Sequence, residues 1–197
     1  MGRFCYRFFQ IVVDPETFFE HARLEKGWGK PLAHLAVLVL WLSLASVVAW
    51  GLGVPGDTPV NSSLGAQMKV YPYWRDTLLP QYGFWAYPLA MGLIALTMLI
   101  ITAIWTPIVF LVFRYLGGAK EPDGLLHAFQ GFVYGLTPCA FGGFLPYLGA
   151  IAGVYATLLQ FCRGPAITMR NRTAVPYLAF SLFLGYAIVL YWAHAVL

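Results

Sequence analysis

The chain has 197 residues, of which 60% are hydrophobic and only 10% are charged, and its mean hydropathy is +0.70. Charged residues make up roughly 25% of a soluble globular domain, so the composition excludes an ordinary soluble domain and indicates a protein that folds in lipid. The net charge of +4 comes from short basic clusters between apolar runs, a pattern typical of topology signals rather than of nucleic-acid binding.

Residues 1–30 predict an interfacial amphipathic anchor on the cytoplasmic side. Apolar and basic residues separate onto two faces at helical spacing, which is typical of a helix lying among lipid headgroups. The apolar face contains Phe4, Phe8, Ile11 and Val12, and the basic face contains Arg3 and Arg7. The run Asp14-Pro15-Glu16 then predicts the N-cap and first turn of a second short helix.

Residues 31–197 predict an all-α, polytopic membrane bundle of about five transmembrane helices. The predicted spans cover residues 31–53, 84–114, 124–141, 145–162 and 174–196, and an outer loop covers 54–83. The second span exceeds the thickness of a bilayer, so Pro107 or a tilt must absorb the excess. The third and fourth are close to the lower limit of about 17 residues for a crossing. A shallow re-entrant pair would leave the topology unchanged.

Basic residues fix the orientation of this arrangement. The inner side would hold Arg3, Arg7, Arg23, Lys26, Lys30, Arg114, Lys120, Arg163, Arg170 and Arg172, and the outer side only Lys69 and Arg75. Cytoplasmic loops carry the excess of Lys and Arg. We therefore expect a cytoplasmic N-terminus and a C-terminus outside.

The order of several short motifs along the chain resembles a known family. The features are Asp-Pro-x-x-Phe-Phe (Asp14 to Phe19), Trp28 before the first span, a glycine turn near Lys120, Tyr-Gly-Leu-Thr-Pro (Tyr134 to Pro138), and the five predicted spans. The chain in this respect resembles the YIP family of Ypt/Rab-interacting membrane proteins, in its prokaryotic branch.

The resemblance implies membrane organisation or an accessory role in a bacterial inner (plasma) membrane. The eukaryotic branch is associated with Rab-type GTPases, and it carries an Asp-Leu-Tyr-Gly-Pro motif and a longer cytosolic arm. Neither feature is present in this sequence, which argues against a GTPase partner. The expected partners are membrane lipids and other membrane proteins in a larger complex.

Sequence motifs for catalysis are missing. No HExxH, GxSxG, P-loop or GxGxxG element occurs, and the three cysteines have no metal-ligand spacing. All eight acidic residues fall outside the predicted spans, whereas proton-coupled transporters usually keep ionisable residues within them. We therefore expect a protein that is not an enzyme and has no catalytic residue, cofactor or metal site.

Polar residues on the predicted third helix form a candidate polar seam. They are His127, Gln130, Tyr134 and Thr137, which share one helical face. Such a face either binds a headgroup or conducts a small solute, or else makes ordinary interhelical hydrogen bonds. The second interpretation is favoured, because Gly131 and Gly135 lie beside the polar residues and allow a close helix contact.

Two further sets of residues are candidate contact sites. The small-xxx-small pairs Gly131/Gly135 and Gly149/Gly153 predict helix packing within the chain. The candidate anionic-lipid contacts are Arg3, Arg7, Lys120, Arg163, Arg170 and Arg172. The sequence thus predicts a non-catalytic organiser or accessory subunit. The alternative is a channel or facilitator for a small solute along the polar seam.

Overall fold

The structure is a computed structural model that describes residues 2–54, 73–115, 124–141 and 148–170. These ranges are almost entirely helical and contain no strand, which confirms the all-α prediction for this part of the chain. The predicted span 174–196, Lys120, Arg172, Lys69 and most of the predicted outer loop lie outside the described residues.

Eight α-helices follow one another along the described ranges. They are α1 (Gly2–Val13), α2 (Pro15–Arg23), α3 (Gly29–Gly51), α4 (Leu79–Tyr82), α5 (Ala86–Tyr115), α6 (Gly124–Gly135), α7 (Leu148–Leu158) and α8 (Gly164–Thr168). π-helical turns cover Trp74–Leu78 and Leu159–Arg163, and 3₁₀ turns cover Gly83–Trp85 and Thr137–Phe141.

The predicted N-cap of α2 is confirmed. The Thr17 backbone N–H donates to Asp14 Oδ1 over 3.3 Å, and Pro15 occupies the first helical position, where its missing N–H has no intrahelical role. This cap ends α1 and begins α2 within two residues, so the two short helices pack on each other.

The orientation of α1 differs from the prediction. Arg7 was expected on an outward basic face, but its guanidinium lies beside Glu25 and two aromatic rings within the fold. The exposed face carries Tyr6, Phe9 and Val13 instead. The reason is that α1 is apolar on two sides, and the side that holds Arg7 finds a carboxylate partner.

Two helical stretches, Gly29–Gly51 and Trp74–Tyr115, are long and apolar enough to cross a membrane, and the described residues contain no others. The predicted spans 124–141 and 145–162 are not among these two stretches. α6 has 12 residues and is therefore about 18 Å long, against roughly 30 Å of hydrocarbon. α5 stays helical through Pro107 over its 30 residues.

Helix α6 is the centre of the fold, and eleven of its 12 residues are buried. It runs beside the first half of α3 in the same direction. Phe129 contacts Trp28 with ring centroids 5.1 Å apart, and Trp41 Nε1 donates to the Ala140 carbonyl over 2.8 Å. The turn that follows α6 thus ends level with the middle of α3. α6 therefore runs beside only about half of the length of α3.

Glycines bring the segment that runs from Leu159 through α8 close to α6. A Cβ added at Gly131 would lie 2.7 Å from Pro165 N, and one at Gly135 would lie 2.6 Å from Gln160 N. Both neighbours are backbone atoms, so a side chain at either position would force the helices apart. Gly153 has open space around it, and Gly149 is buried in α7.

The final part of the predicted outer loop, residues 73–82, is helical. Pro80 lies in the first turn of α4, a position that tolerates proline. The segment is held by a tryptophan cap, an apolar cluster at the end of α3. Its buried members are Val47, Trp50, Trp74, Leu78, Ala86 and Ala90.

Candidate functional site: the Glu25 clamp

The predicted polar seam is not exposed on the surface. Gln130, Tyr134 and Thr137 each have 0% exposure and His127 has 9%. Three of these residues meet groups from the N-terminal third of the chain, whereas His127 lies apart. The seam therefore divides into a packed part and a separate position near the start of α6.

The packed part surrounds the carboxylate of Glu25, which lies between α2 and α3. Arg7 Nη2 donates to Glu25 Oε1 over 2.7 Å, Lys30 Nζ to the same oxygen over 3.3 Å, and Tyr134 OH to Oε2 over 2.9 Å. We call Arg7, Glu25, Lys30 and Tyr134 the Glu25 clamp. It joins α1, the α2–α3 connection, α3 and α6 through one side chain.

The main chain at Glu25 is held as well. Gln130 Nε2 donates to the Glu25 carbonyl over 3.0 Å. Gln130 Oε1 is buried and has no hydrogen-bond partner among the described residues. An unpaired buried acceptor costs about 1–3 kcal/mol. The hydrogen bond that Gln130 Nε2 donates to Glu25 is therefore the stabilising contribution of this side chain, and it offsets that cost.

Aromatic rings enclose the charged groups. The Arg7 guanidinium lies 5.6 Å from the ring centroids of both Phe18 and Tyr134, within the range of a cation–π contact. Phe18 meets Tyr134 edge-on at 5.1 Å. These rings lower the local polarity around the ion pair, which strengthens its electrostatic attraction.

A second, smaller network continues the seam into α3. The Thr137 hydroxyl donates to the Tyr134 carbonyl over 2.7 Å, and its oxygen lies 3.0 Å from His34 Nε2. Because the hydroxyl proton is already engaged, His34 Nε2 must be the donor. Phe8 stacks on the imidazole at 4.6 Å. His34 is thus a hydrogen-bonded packing residue.

The clamp is a partly buried charge cluster, and its Lys30 side chain is exposed. The Glu25 side chain is 15% exposed and that of Arg7 is 33% exposed. Removing ions from water is expensive unless they are paired and hydrogen-bonded. Glu25 meets both conditions, since two cations and a phenol surround it. The arrangement orders the N-terminal helices against α6.

His127 does not take part in the clamp. Its carbonyl accepts a hydrogen bond of 2.8 Å from the Thr168 hydroxyl of α8. Its side chain lies on the wall of a pocket of about 730 Å³ between the α2–α3 connection and the first turn of α6. His127 therefore lies on the same helical face as Gln130 and Tyr134, as its spacing indicates, but its surroundings differ from theirs.

The predicted lipid contacts are partly used inside the protein. Arg7 pairs with Glu25, and Arg163 Nη2 lies 2.6 Å from Glu16 Oε2. Arg170 is exposed and lines a second pocket. Arg3 lies in α1 without a described side chain, and Lys120 and Arg172 lie outside the described residues.

Sequence reasoning missed Glu25, the residue on which the clamp depends. The only local signal was a single acidic residue in the basic stretch from Arg23 to Lys30. Lys30 is only five positions away, but Arg7 is separated from Glu25 by 18 positions and Tyr134 by 109. Single-sequence periodicity does not detect contacts at that distance.

No protein-family model matches the chain, and no significant match was found among curated proteins or solved structures. The likeness to the YIP family is therefore carried by sequence motifs alone. No group of three or more His, Cys, Asp or Glu residues in the described ranges is arranged to hold a metal ion.

Proposed function

We propose that the chain is a non-catalytic integral membrane protein of the YIP type, which acts as an organiser or accessory subunit through helix and lipid contacts. The observation that carries this proposal is the Glu25 clamp. Gln130 and Tyr134, two of the polar side chains on α6 that would serve conduction or chemistry, are instead engaged in fixing α1 and the α2–α3 connection to the bundle.

The proposed topology has a cytoplasmic N-terminus and five membrane segments, with 174–196 as the last. α3 and α5 cross completely, while α6 and the returning helices enter from the inner side as a re-entrant pair. The short length of α6 and the contact of Trp41 with Ala140 support this depth. Arg75 lies near the far end of α3 beside the tryptophan cap, and the clamp cations lie at the near end.

A solute pathway along the seam is the less favoured alternative. Conduction needs a water-accessible route, but Gln130, Tyr134 and Thr137 have no exposed surface. Opening the seam would require Arg7 to leave Glu25 and α1 to move away from α6. Hydrogen bonding between packed helices explains why these polar residues are present, and it requires no such rearrangement.

The outward face of α5 supports a role in helix contacts. Only 22% of the most apolar window in Trp74–Tyr115 is buried, against 44% in α3. The exposed leucine and isoleucine side chains form one broad stripe along the helix, namely Leu89, Leu93, Leu96, Leu99, Ile100, Ile101, Ile104, Ile108 and Leu111. A stripe of this length presents an apolar surface to lipid or to a partner helix.

The test is photo-crosslinking in native membranes followed by affinity purification in gentle detergent. A photoreactive amino acid at Leu96 or Ile104, which are exposed, should form an adduct with a stoichiometric membrane-protein partner. The same probe at Leu38, which is fully buried, is the control and should crosslink only within the chain.

The proposal fails if the chain purifies without a partner and supports a specific solute flux in proteoliposomes. That result would favour the facilitator instead.

A further inference from the structure

A pocket of about 730 Å³ opens beside the clamp, at the same end of the bundle. One wall is the α2–α3 connection, with Arg23, Lys26 and Trp28, and the other is the start of α6, with Leu125 and His127. The volume falls within the range of roughly 300–1,000 Å³ that is typical of small-ligand sites. The pocket is thus large enough for a lipid headgroup.

The cations on the pocket wall outnumber the carboxylates. Glu25 is the only carboxylate among the described lining residues, and its oxygens are already engaged by Arg7, Lys30 and Tyr134. Lys26 is exposed and makes no ion pair within the described part of the chain. Arg23 adds a second cation on the same wall. The pocket therefore favours an anion.

A neighbouring pocket of about 600 Å³ shares Arg23 and Leu24 with the first. It also contains Arg170 and the exposed carboxylate of Glu20. Because Glu20 offsets part of its positive charge, this second pocket is the weaker anion site. Arg23 lies on the wall of both pockets and extends the positive surface across α2.

We propose that the pocket lined by Arg23, Lys26 and Trp28 binds the phosphate group of an anionic lipid. Lys26 and Arg23 contact the phosphate, and the Trp28 indole, which is 42% exposed, lies at the level of the headgroups where tryptophan is enriched. This inference rests on the membrane location in the proposed function. It names residues different from the arginines that the sequence indicated.

The experiment uses the full chain purified into phosphatidylcholine nanodiscs, with phosphatidylglycerol as the probe and native mass spectrometry as the readout. Wild-type protein should retain phosphatidylglycerol in preference to phosphatidylcholine. Lys26→Gln should lower that affinity about fivefold, and Arg23→Gln with Lys26→Gln about 25-fold, at about fivefold for each charge removed. Lys26→Arg should retain wild-type binding.

Arg75→Gln is the matched control, because it removes one exposed cation at the opposite end of α3. It should leave lipid retention unchanged. Equal retention by wild-type, Lys26→Gln and the double variant would overturn the proposal. So would inorganic phosphate that binds alone and displaces the lipid, since this would identify a free phosphate as the ligand.

Carbonate extraction of native membranes separates this inference from the proposed function. If the chain stays in the membrane but shows no lipid preference, the pocket assignment alone is wrong. If carbonate releases the chain, the membrane location itself is wrong.

Discussion

The two ends of α3 are held in opposite ways. At one end, the Glu25 clamp joins four elements through charged and polar groups, including Arg7 and Tyr134, which lie 127 positions apart. At the other end, the tryptophan cap packs apolar side chains, with the Trp50 and Trp74 ring centroids 5.7 Å apart. The clamp depends on geometry and charge, while the cap depends on buried area.

This difference indicates where the fold tolerates change. An apolar cluster loses stability in proportion to the volume removed, and substitutes of similar size are accepted. A buried ion pair is sensitive to the loss of one partner, because the remaining charge is left without compensation. Replacing a single polar atom in the clamp should therefore lower the stability of the protein, whereas a change of similar size in the cap should not.

Trp74→Ala should cause the largest loss, because it removes the centre of the tryptophan cap. Trp74 is 3% exposed and also meets Tyr87 at 5.3 Å. We expect the free energy of unfolding in detergent to fall by roughly 3–5 kcal/mol. Trp85→Ala is the control, since Trp85 is 73% exposed and its loss should cost less than about 0.5 kcal/mol. Equal losses would contradict the cap.

Gly131→Ala should cost about 2–3 kcal/mol, because its Cβ meets the Pro165 backbone and forces α6 away from α8. The matched change is Gly153→Ala, where a Cβ has open space. This control should alter stability by no more than about 1 kcal/mol, in the stabilising direction. Thermal unfolding of both variants in one detergent would show the contrast. A stable Gly131→Ala protein would disprove the close contact.

Glu25→Gln should destabilise the protein by about 2 kcal/mol. This loss is smaller than that expected from breaking a fully buried ion pair, because the Arg7 side chain is one-third exposed. The loss of the carboxylate leaves Arg7 and Lys30 without their shared partner, so α1 should also become sensitive to limited proteolysis. Glu16→Gln is the control, because its pair with Arg163 is exposed. It should change stability by less than about 1 kcal/mol. Similar losses of stability in Glu25→Gln and Glu16→Gln would show that the clamp contributes no more than an exposed ion pair.

Tyr134→Phe should have the smallest effect and sharpens the comparison. It removes only the hydroxyl that donates to Glu25 and leaves the ring contacts with Phe18 and His34. We expect a loss of about 1 kcal/mol, measured as free energy of unfolding. A neutral result would show that the ring alone accounts for the burial of Tyr134.

Local signals in the sequence predicted part of this fold. The Asp14-Pro15 cap and the apolar runs of α3 and α5 act within a few residues of each other, so their helices could be identified directly. The helical spacing of Gln130, Tyr134 and Thr137 also indicated a shared polar face. In each of these cases the relevant physics lies within one helix.

Tertiary contacts explain what the sequence did not predict. Arg7 faces inward only because Glu25 is there to receive it, and neither residue indicates the other in the sequence. The four prolines of residues 54–83 and the polarity of the segment indicate a loop, but residues 73–82 are helical. In the structure Pro80 occupies a tolerant first-turn position, and burial of Trp74 stabilises the turn.

The most direct test of the packed seam is cysteine accessibility in a variant without native cysteines. Thr137→Cys places a small thiol at a position with 0% exposure, and Glu20→Cys places one on the exposed surface of α2. A membrane-impermeant maleimide added to both sides should label Glu20→Cys rapidly and Thr137→Cys only after denaturation. Equal labelling of the two folded variants would contradict the packed seam and show that the seam is open to water.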